Sequence, residues 1–456
     1  MLNFSHFYFV GIKGVGMTAL ASVLVDMGKM VRGADVADDF PTKPMLARLG
    51  VTIDDGFAGE LPAETEVVIY TGSHGGSQNP LVEKARRRGI PTYTHAAALG
   101  EVSAGQKVVA VCGVGGKSTI SAMLAWTGEQ LRTPVSFAVG VGQIIGLAKT
   151  GQFAASSDYF VAEADEYIAD PLLKNSAGAH FRFDYLSPSV IVCNNLRFDH
   201  PDVYRDFNHT KQVFGRFFAR LAPEGFLVYN GDDQNLRELA WQLLERRSDV
   251  TQISYGTHEL NDVRLADVAD WHLQVPGEFN RMNALAALTV ATQVFGWDRP
   301  AVMAALSQYR SVTRRLQNLP AIGGVEIWDD YAHHPSEVAA AIAAMQAHRP
   351  GKRLVVAFQP HTFSRTRQLL GEFATALATA GEVVLLDIFA SAREEDDGTI
   401  SSDDLARAVS KLAMGTKVSR VGTPADLRAW IGKNMRRGDV LLTLGAGDIY
   451  HAVTSD

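Results

Sequence analysis

The chain has 456 residues, 46% of them hydrophobic and 20% charged, and a net charge of −7. That length exceeds what one hydrophobic core organises and implies roughly two to four domains, while the acidic balance excludes a nucleic-acid partner gripped by a broad basic field. No apolar stretch reaches the length of a membrane span, and the first residues lack a secretory pattern. Cys112 and Cys193 both sit inside apolar runs. They read as buried thiols in a reducing, cytoplasmic setting, with no disulfide or metal framework.

Phe7 to Val10 reads as a strand, followed by Gly11-Ile12-Lys13-Gly14-Val15-Gly16 and a helical run from Met17 to Met27. A second strand, Met30 to Arg32, ends in Gly33-Ala34-Asp35. Strand, glycine turn, helix, strand and acid make the first half of a Rossmann-like nucleotide unit. The spacing is G-x-x-G-x-G, with Lys13 where a dinucleotide fingerprint has its second glycine. A cation in that slot disfavours NAD and suits a diphosphate. Alternation continues through Glu66 to Tyr70, Thr71-Gly72-Ser73-His74, a helix opened by Asn79-Pro80, and Pro91 to Tyr93. Residues 1–104 therefore form one α/β domain, closed by the polar segment Glu101 to Gln106.

Lys107 to Thr119, KVVAVCGVGGKST, is the most informative stretch. Val108 to Cys112 suits a buried parallel strand. Gly113, Gly115 and Gly116 let backbone N–H groups crowd an oxyanion, Lys117 adds a full charge, and Ser118 offers a hydroxyl to a nucleotide-bound Mg²⁺. Thr119 then enters a helical pattern through Ile120, Met123, Leu124 and Trp126. A nucleoside triphosphate site is expected, in the short form G-x-x-G-K-S. Two apolar strands in the same domain end in acids: Tyr159 to Ala162 runs into Glu163-Ala164-Asp165-Glu166, and Val190 to Cys193 into Asn194-Asn195-Leu196-Arg197-Phe198-Asp199-His200. Such strand ends are where an α/β ATPase holds its metal. Asn280 and Asn283 open an alanine-rich helix three residues apart, a spacing that lets both amides face one ligand edge and that helix capping explains equally well for either one.

From about residue 320 every strand ends in polar chemistry. Val325 to Trp328 leads into Asp329-Asp330-Tyr331-Ala332-His333-His334-Pro335-Ser336-Glu337, and Leu354 to Phe358 into Gln359-Pro360-His361-Thr362-Phe363-Ser364-Arg365-Thr366-Arg367. Val383 to Leu386 leads into Asp387 and then Ala392-Arg393-Glu394, and Val440 to Thr443 into Leu444-Gly445-Ala446-Gly447-Asp448. In open α/β sheets the ligand crevice lies at those ends. The fold expected is α/β in three domains: Rossmann-like 1–104, a central P-loop ATPase-like domain 105–317, and a Rossmann-like 318–456.

In this order the motifs resemble the Mur ligase family, the ATP-dependent amide ligases of peptidoglycan assembly. The resemblance rests on Gly11 to Met17, Asp329 to Glu337, Phe358 to Arg367 and Gly445 to Asp448, and it spans the whole chain. It implies an enzyme that uses ATP and Mg²⁺ to join L-alanine to UDP-N-acetylmuramic acid through an acyl phosphate. Lys117 would sit on the β/γ-phosphates; Ser118, Glu163 and His200 would hold magnesium; Asn280, Asn283 and Arg314 would hold the nucleotide. Gly11, Lys13, Gly14, Val15, Gly16, Asp35, Ser73 and His74 would bind the UDP-sugar. His361, Arg365 and Arg367, the arginines paired on a turn, would receive the amino acid, and His333 would orient or deprotonate its amine.

The chain departs from the family's usual G-T-H-G-K-T-T loop at Gly113 to Thr119. The segment Asn194 to Tyr204 and Tyr167 look more like the family branch that reattaches a murein tripeptide during wall recycling. Tripeptide ligation is thus the alternative within the family. Outside it stand a nicotinamide-dependent oxidoreductase, opposed by Lys13 and the second phosphate loop, and a non-catalytic Mur-like binding subunit, opposed by Lys117, Glu163 and His200.

Overall fold

The computed structural model describes residues 1–38, 40–173, 180–200, 202–390, 398–413 and 415–454. Ala392-Arg393-Glu394 and Pro201 lie outside the described residues. Three sheets are built. The first has β1 (His6–Val10), β2 (Met30–Asp35), β3 (Thr52–Asp55), β4 (Val67–Tyr70) and β5 (Thr92–Thr94), in the order β3-β2-β1-β4-β5. All its pairings are parallel. The order reverses at β1, so the loop after β1 opens onto the crevice where such sheets take ligands.

The central sheet has β6 (Lys107–Cys112), β7 (Ser136–Ala138), β8 (Gly151–Gln152), β9 (Tyr159–Glu163), β10 (Pro188–Cys193), β11 (Phe226–Asn230), β12 (Thr251–Gly256) and β13 (Val263–Arg264). Its order is β13-β12-β11-β10-β6-β9-β7-β8. The glycine loop after β6 therefore leaves between two strand ends. Val111 lies opposite Glu163 of β9, and Cys112 opposite Cys193 of β10. Val108 to Cys112 is buried throughout, as a strand covered on both faces requires. The helix after the loop, Lys117–Gln130, is buried from Thr119 to Gly128, and Trp126 donates its indole N–H to the Ala305 carbonyl at 2.8 Å.

The chain divides into two compact units, one of Met1–Gln274 with Arg281–Val312 and the other of Val275–Asn280 with Thr313–Asp456. The first two sheets thus belong to one body. A single core joins Phe7, Leu20 and Ile69 of the first sheet's layer to Ala110, Phe160 and Ile191 of the second. The helix Val15–Asp26 packs on the β8 edge, where Ser22 donates to the Gly151 carbonyl at 2.6 Å and Lys149 pairs with Asp26. Gly151 has no room for a side chain, because a Cβ there would overlap the Ala19 carbonyl.

The second unit holds β14 (Gln317–Ile322), β15 (Val325–Asp330), β16 (Leu354–Phe358), β17 (Glu382–Leu385), β18 (Lys417–Arg420) and β19 (Val440–Leu444), in the order β14-β15-β19-β16-β17-β18. Only the edge strand β14 is antiparallel. β19 comes last in the chain yet lies between β15 and β16. Three polar strand ends far apart in sequence are therefore side by side. No described helix is long and apolar enough to cross a membrane.

Gly151→Ala is expected to destabilise the first unit by about 1–3 kcal/mol, the scale of overpacking a filled interior. Thermal unfolding followed by circular dichroism should show a melting point several degrees lower; an unchanged one would mean that helix and strand edge are not held this closely.

Candidate active site

The phosphate loop is built around Lys117. Its ammonium donates to the Gly113 carbonyl at 2.8 Å and pairs with Glu166 at 2.8 Å, and the Glu166 side chain is only 3% exposed. Burial disfavours the lysine's charge, but Glu166 and Asp165 outweigh it and raise the pKa. Asp165 is held below the usual carboxylate range: burial opposes this, and Arg182, 2.5 Å away, and Lys117 prevail. Gly116 begins the helix with φ at 92°, and a Cβ there would press on the side chains of Asn194 and Asn283. Asn195 accepts the Gly115 N–H and donates back to the Gly115 carbonyl, both at 3.0 Å. Asn194 donates to the same carbonyl at 3.1 Å and to Asn283 at 3.0 Å. Thr119 is buried on the helix.

Ser118 donates to Glu163 at 3.1 Å, and the Gly140 N–H reaches the other carboxylate oxygen at 2.8 Å. Burial raises the Glu163 carboxyl pKa despite these donors and Lys117. A cation placed there would reverse that cost, and a hydroxyl beside a carboxylate is a donor pair suited to Mg²⁺, which keeps phosphate and water as its other ligands. His200, expected beside Glu163 on one metal, faces Glu166 and Asp199. His200 Nε2 stands 4.0 Å from Glu166 and 3.7 Å from Asp199, and no group of three or more His, Cys, Asp or Glu among the described residues is arranged to hold an ion. Asn280 donates to the Pro276 carbonyl at 2.8 Å, and Asn283 accepts from Asn194 at 3.0 Å.

The first glycine loop differs from expectation at Lys13. Its ammonium is not presented to a diphosphate; it donates to the carbonyls of Val36 at 2.5 Å and Asp38 at 2.9 Å, over the Phe40 ring. A buried ammonium takes the nearest acceptors, and these carbonyls follow directly on β2. Asp35 is likewise engaged, accepting the N–H groups of Lys13 at 2.7 Å and Val36 at 2.8 Å, with His74 Nε2 at 3.7 Å. Gly11 lies against Thr71 and His74. The loop, Asp35 and His74 are thus brought together, with Gly14, Val15 and Gly16 leading into the helix and Ser73 just before His74.

In the second unit, His333 Nδ1 lies 3.1 Å from the Tyr331 carbonyl. A proton on Nδ1 directed there leaves the lone pair on Nε2, the form that accepts a proton. Glu337 accepts the backbone N–H of His333 at 3.1 Å, and the His333 ring centre is 6.2 Å from that of His361. Arg314 donates to the carbonyls of Gly445 and Gly447 at 2.5 and 3.0 Å, pairs with Asp329 at 3.3 Å and stacks on Tyr331 and Tyr450. Arg365 and Arg367 are not a pair on a turn. They lie on a helix, Phe363–Gln368, where residues two apart point in nearly opposite directions.

A glycine loop and lysine beside the acidic end of β9, on a mostly parallel α/β sheet, define the class of nucleotide-phosphate-binding P-loop proteins. More narrowly, the chain belongs to the Mur ligase family. Residues 6–107 match the Mur ligase family catalytic domain, 111–291 the Mur ligase middle domain and 314–447 the Mur ligase glutamate ligase domain. The chain is 31% identical over 467 residues to the UDP-N-acetylmuramate–L-alanine ligase of Desulfitobacterium hafniense strain Y51, covering 98% of each protein. Its fold is that of the UDP-N-acetylmuramate-alanine ligase of Thermotoga maritima, with a TM-score of 0.77 at 23% identity over 98% of this chain and 97% of that one. It is also similar in fold to a murein peptide ligase of Psychrobacter arcticus, with a TM-score of 0.66 at 19% identity over the same shares.

Lys117→Met is expected to lower the unfolding free energy by about 3–5 kcal/mol, because Glu166 is left buried without its counter-charge. Adding Glu166→Gln should restore most of the stability in urea unfolding. A single variant as stable as the parent would show that the pair does not hold the loop.

Asp330 gives a pH dependence. Burial pushes its carboxyl from 3.8 up to about 6, against Arg315 and the N–H groups of Leu316 and Ala332. The folded chain keeps this proton where the unfolded chain has lost it, so the contribution to stability is full below 3.8 and lost as pH rises to about 6. Asp330→Asn should therefore gain melting temperature relative to the parent across that window, and a difference independent of pH would contradict the shift.

Proposed function

We infer that this chain joins L-alanine to UDP-N-acetylmuramate with cleavage of ATP. The observation that carries the nucleotide chemistry is the contact of Ser118 with Glu163 beside the Lys117 ammonium. The full-length likeness to an L-alanine ligase supports the amine and acceptor. We assign residues 1–104 to the UDP-sugar, 105–317 to ATP and 318–456 to the amino acid. The acceptor carboxylate attacks the γ-phosphate, ADP leaves, and the amine then displaces phosphate from the acyl group. Bringing two anions together is the costly step, so fixed cations serve better than covalent help.

Lys117 exchanges its contact with Glu166 for the β/γ-phosphates. Ser118 and Glu163 would hold Mg²⁺, which when bound neutralises phosphate charge. Asn283 supports the nucleotide loop through Asn194. In the second unit His333 orients the amine and takes its proton at Nε2, with His361 beside it; Arg365, but not Arg367 from the same side, receives the amino-acid carboxylate. The loop after β1 takes the diphosphate through its backbone N–H groups, since Lys13 is engaged elsewhere.

The tripeptide alternative draws on Tyr167 and the Asn194 to Tyr204 segment. Their tyrosines have internal partners: Tyr167 donates to Asp202 at 2.7 Å and Tyr204 to the Glu166 carbonyl at 2.6 Å. Tyr204 thereby braces the Glu166 backbone.

Phosphate release from ATP, with UDP-N-acetylmuramate and either L-alanine or L-Ala-γ-D-Glu-meso-diaminopimelate, tests the reading. L-Alanine is expected to give the higher kcat/KM; preference for the tripeptide would overturn it. Glu163→Gln should raise the Mg²⁺ requirement at least about tenfold, while His200→Ala should leave it unchanged. Equal Mg²⁺ dependence in Glu163→Gln and the parent would remove Glu163 from the metal.

A further inference from the structure

Tyr255 has no part in the roles above. It stands near the end of β12, fully buried, on a strand three places from the β6 strand that carries the phosphate loop. Its register partner on β11 is Asn230, and Tyr229 of β11 is paired in turn with Cys193 of β10. Reaching from β12 to the end of β10 means crossing about 10 Å of sheet, two strand spacings. The phenol makes that crossing and donates its hydroxyl to Asn194 Oδ1 at 2.8 Å. Phenylalanine would fill this interior as well, and a buried hydroxyl costs free energy unless it is bonded. What the oxygen adds at position 255 is the bond to Asn194.

That bond decides which way the Asn194 amide faces. Its Nδ2 donates to the Gly115 carbonyl at 3.1 Å and to Asn283 Oδ1 at 3.0 Å. A carbonyl can only accept. With the amide reversed, Oδ1 would face the Gly115 carbonyl with no proton between them, so the donor at Oδ1 holds the one orientation that grips the loop. The loop backbone lies hard against this pair: a Cβ on Gly116 would stand 2.5 Å from both Asn194 Nδ2 and Asn283 Oδ1. Gly116, with φ at 92°, starts the helix that carries Lys117 and Ser118.

We propose that Tyr255 is a positioning residue of the nucleotide site: through Asn194 it sets the path of Gly115 and Gly116, and so the direction from which the loop meets phosphate. The proposal rests on reading Gly113 to Ser118 as the ATP loop. Without the hydroxyl, Asn194 Oδ1 is buried and lacks its donor, the amide is free to turn, and the Gly115 carbonyl is left to Asn195. A loop with several paths binds phosphate more weakly, because it must be ordered as the ligand arrives. The loop after β1 has no share in this chain of bonds, so the effect falls on ATP and not on the UDP-sugar.

The test is calorimetric titration of the full chain with ADP in the presence of Mg²⁺, for the parent, Tyr255→Phe, Asn194→Ala and the double variant. Tyr255→Phe should weaken ADP by about tenfold, the scale of one buried hydrogen bond, and bind UDP-N-acetylmuramate within about twofold of the parent. In turnover KM for ATP should rise while KM for L-alanine stays unchanged. Because Tyr255 acts through Asn194, the double variant should bind ADP within about twofold of Asn194→Ala alone. Three results overturn the proposal: parent affinity for ADP in a folded Tyr255→Phe, a double variant whose loss multiplies those of the single ones, or equal weakening of both ligands, which marks general loosening. Should Tyr255→Phe fail to fold by circular dichroism, the double variant, which removes both polar partners, decides against Asn194→Ala: equal ADP affinity supports the proposal and weaker affinity overturns it. A parent that binds no ADP overturns the nucleotide reading and this inference together, whereas absent ligation with the ADP pattern intact overturns only the proposed reaction.

Discussion

The ammonium of Lys117 is held in a place where a charge is expensive. Its side chain is 16% exposed and its partner Glu166 only 3%, and the two meet at 2.8 Å. A buried pair of this kind contributes little net stability, because desolvation of both ions offsets their attraction, but removing either partner is costly. The surrounding hydrogen bonds follow from that constraint. Tyr204 fixes the Glu166 backbone, Arg182 neutralises Asp165, and Asn194 and Asn195 clasp Gly115. The loop is thus held from both sides, with the lysine's charge fixed by Glu166 and the Gly113 carbonyl.

The two sheets of the first unit share the core that makes such precision possible. The helix after the first glycine loop packs on the far edge of the ATPase-like sheet, and the hydrophobic cluster is continuous through both. A close-packed interior moves as a body. The loop after β1 and the strand end carrying Glu163 therefore belong to one packed body.

In the second unit strand order does comparable work. Placing β19 between β15 and β16 brings Asp330 and Gln359 to either side of Gly445. Arg314 closes this arrangement through two carbonyls, one carboxylate and two aromatic rings. An arginine so engaged acts as a brace for the Gly445 to Asp448 loop.

Much of this was legible in the residues themselves. Apolar runs such as Val108 to Cys112 and Leu354 to Phe358 declare buried parallel strands, and glycine, lysine and serine spaced along one turn declare a phosphate cradle, because these signals depend on neighbours within a few residues. Side-chain partners were not legible. Lys117 and Glu166 are 49 positions apart, and only the adjacency of β6 and β9 decides that they meet. Nothing near Lys13 in the sequence marks the carbonyls after β2 as its partners, and the helix Phe363–Gln368 turns Arg365 and Arg367 to opposite sides. Sequence by itself determined the elements, their chemistry and the family; tertiary structure alone decided which charges face each other, because a long side chain takes whatever partner the packing of distant strands puts within its reach.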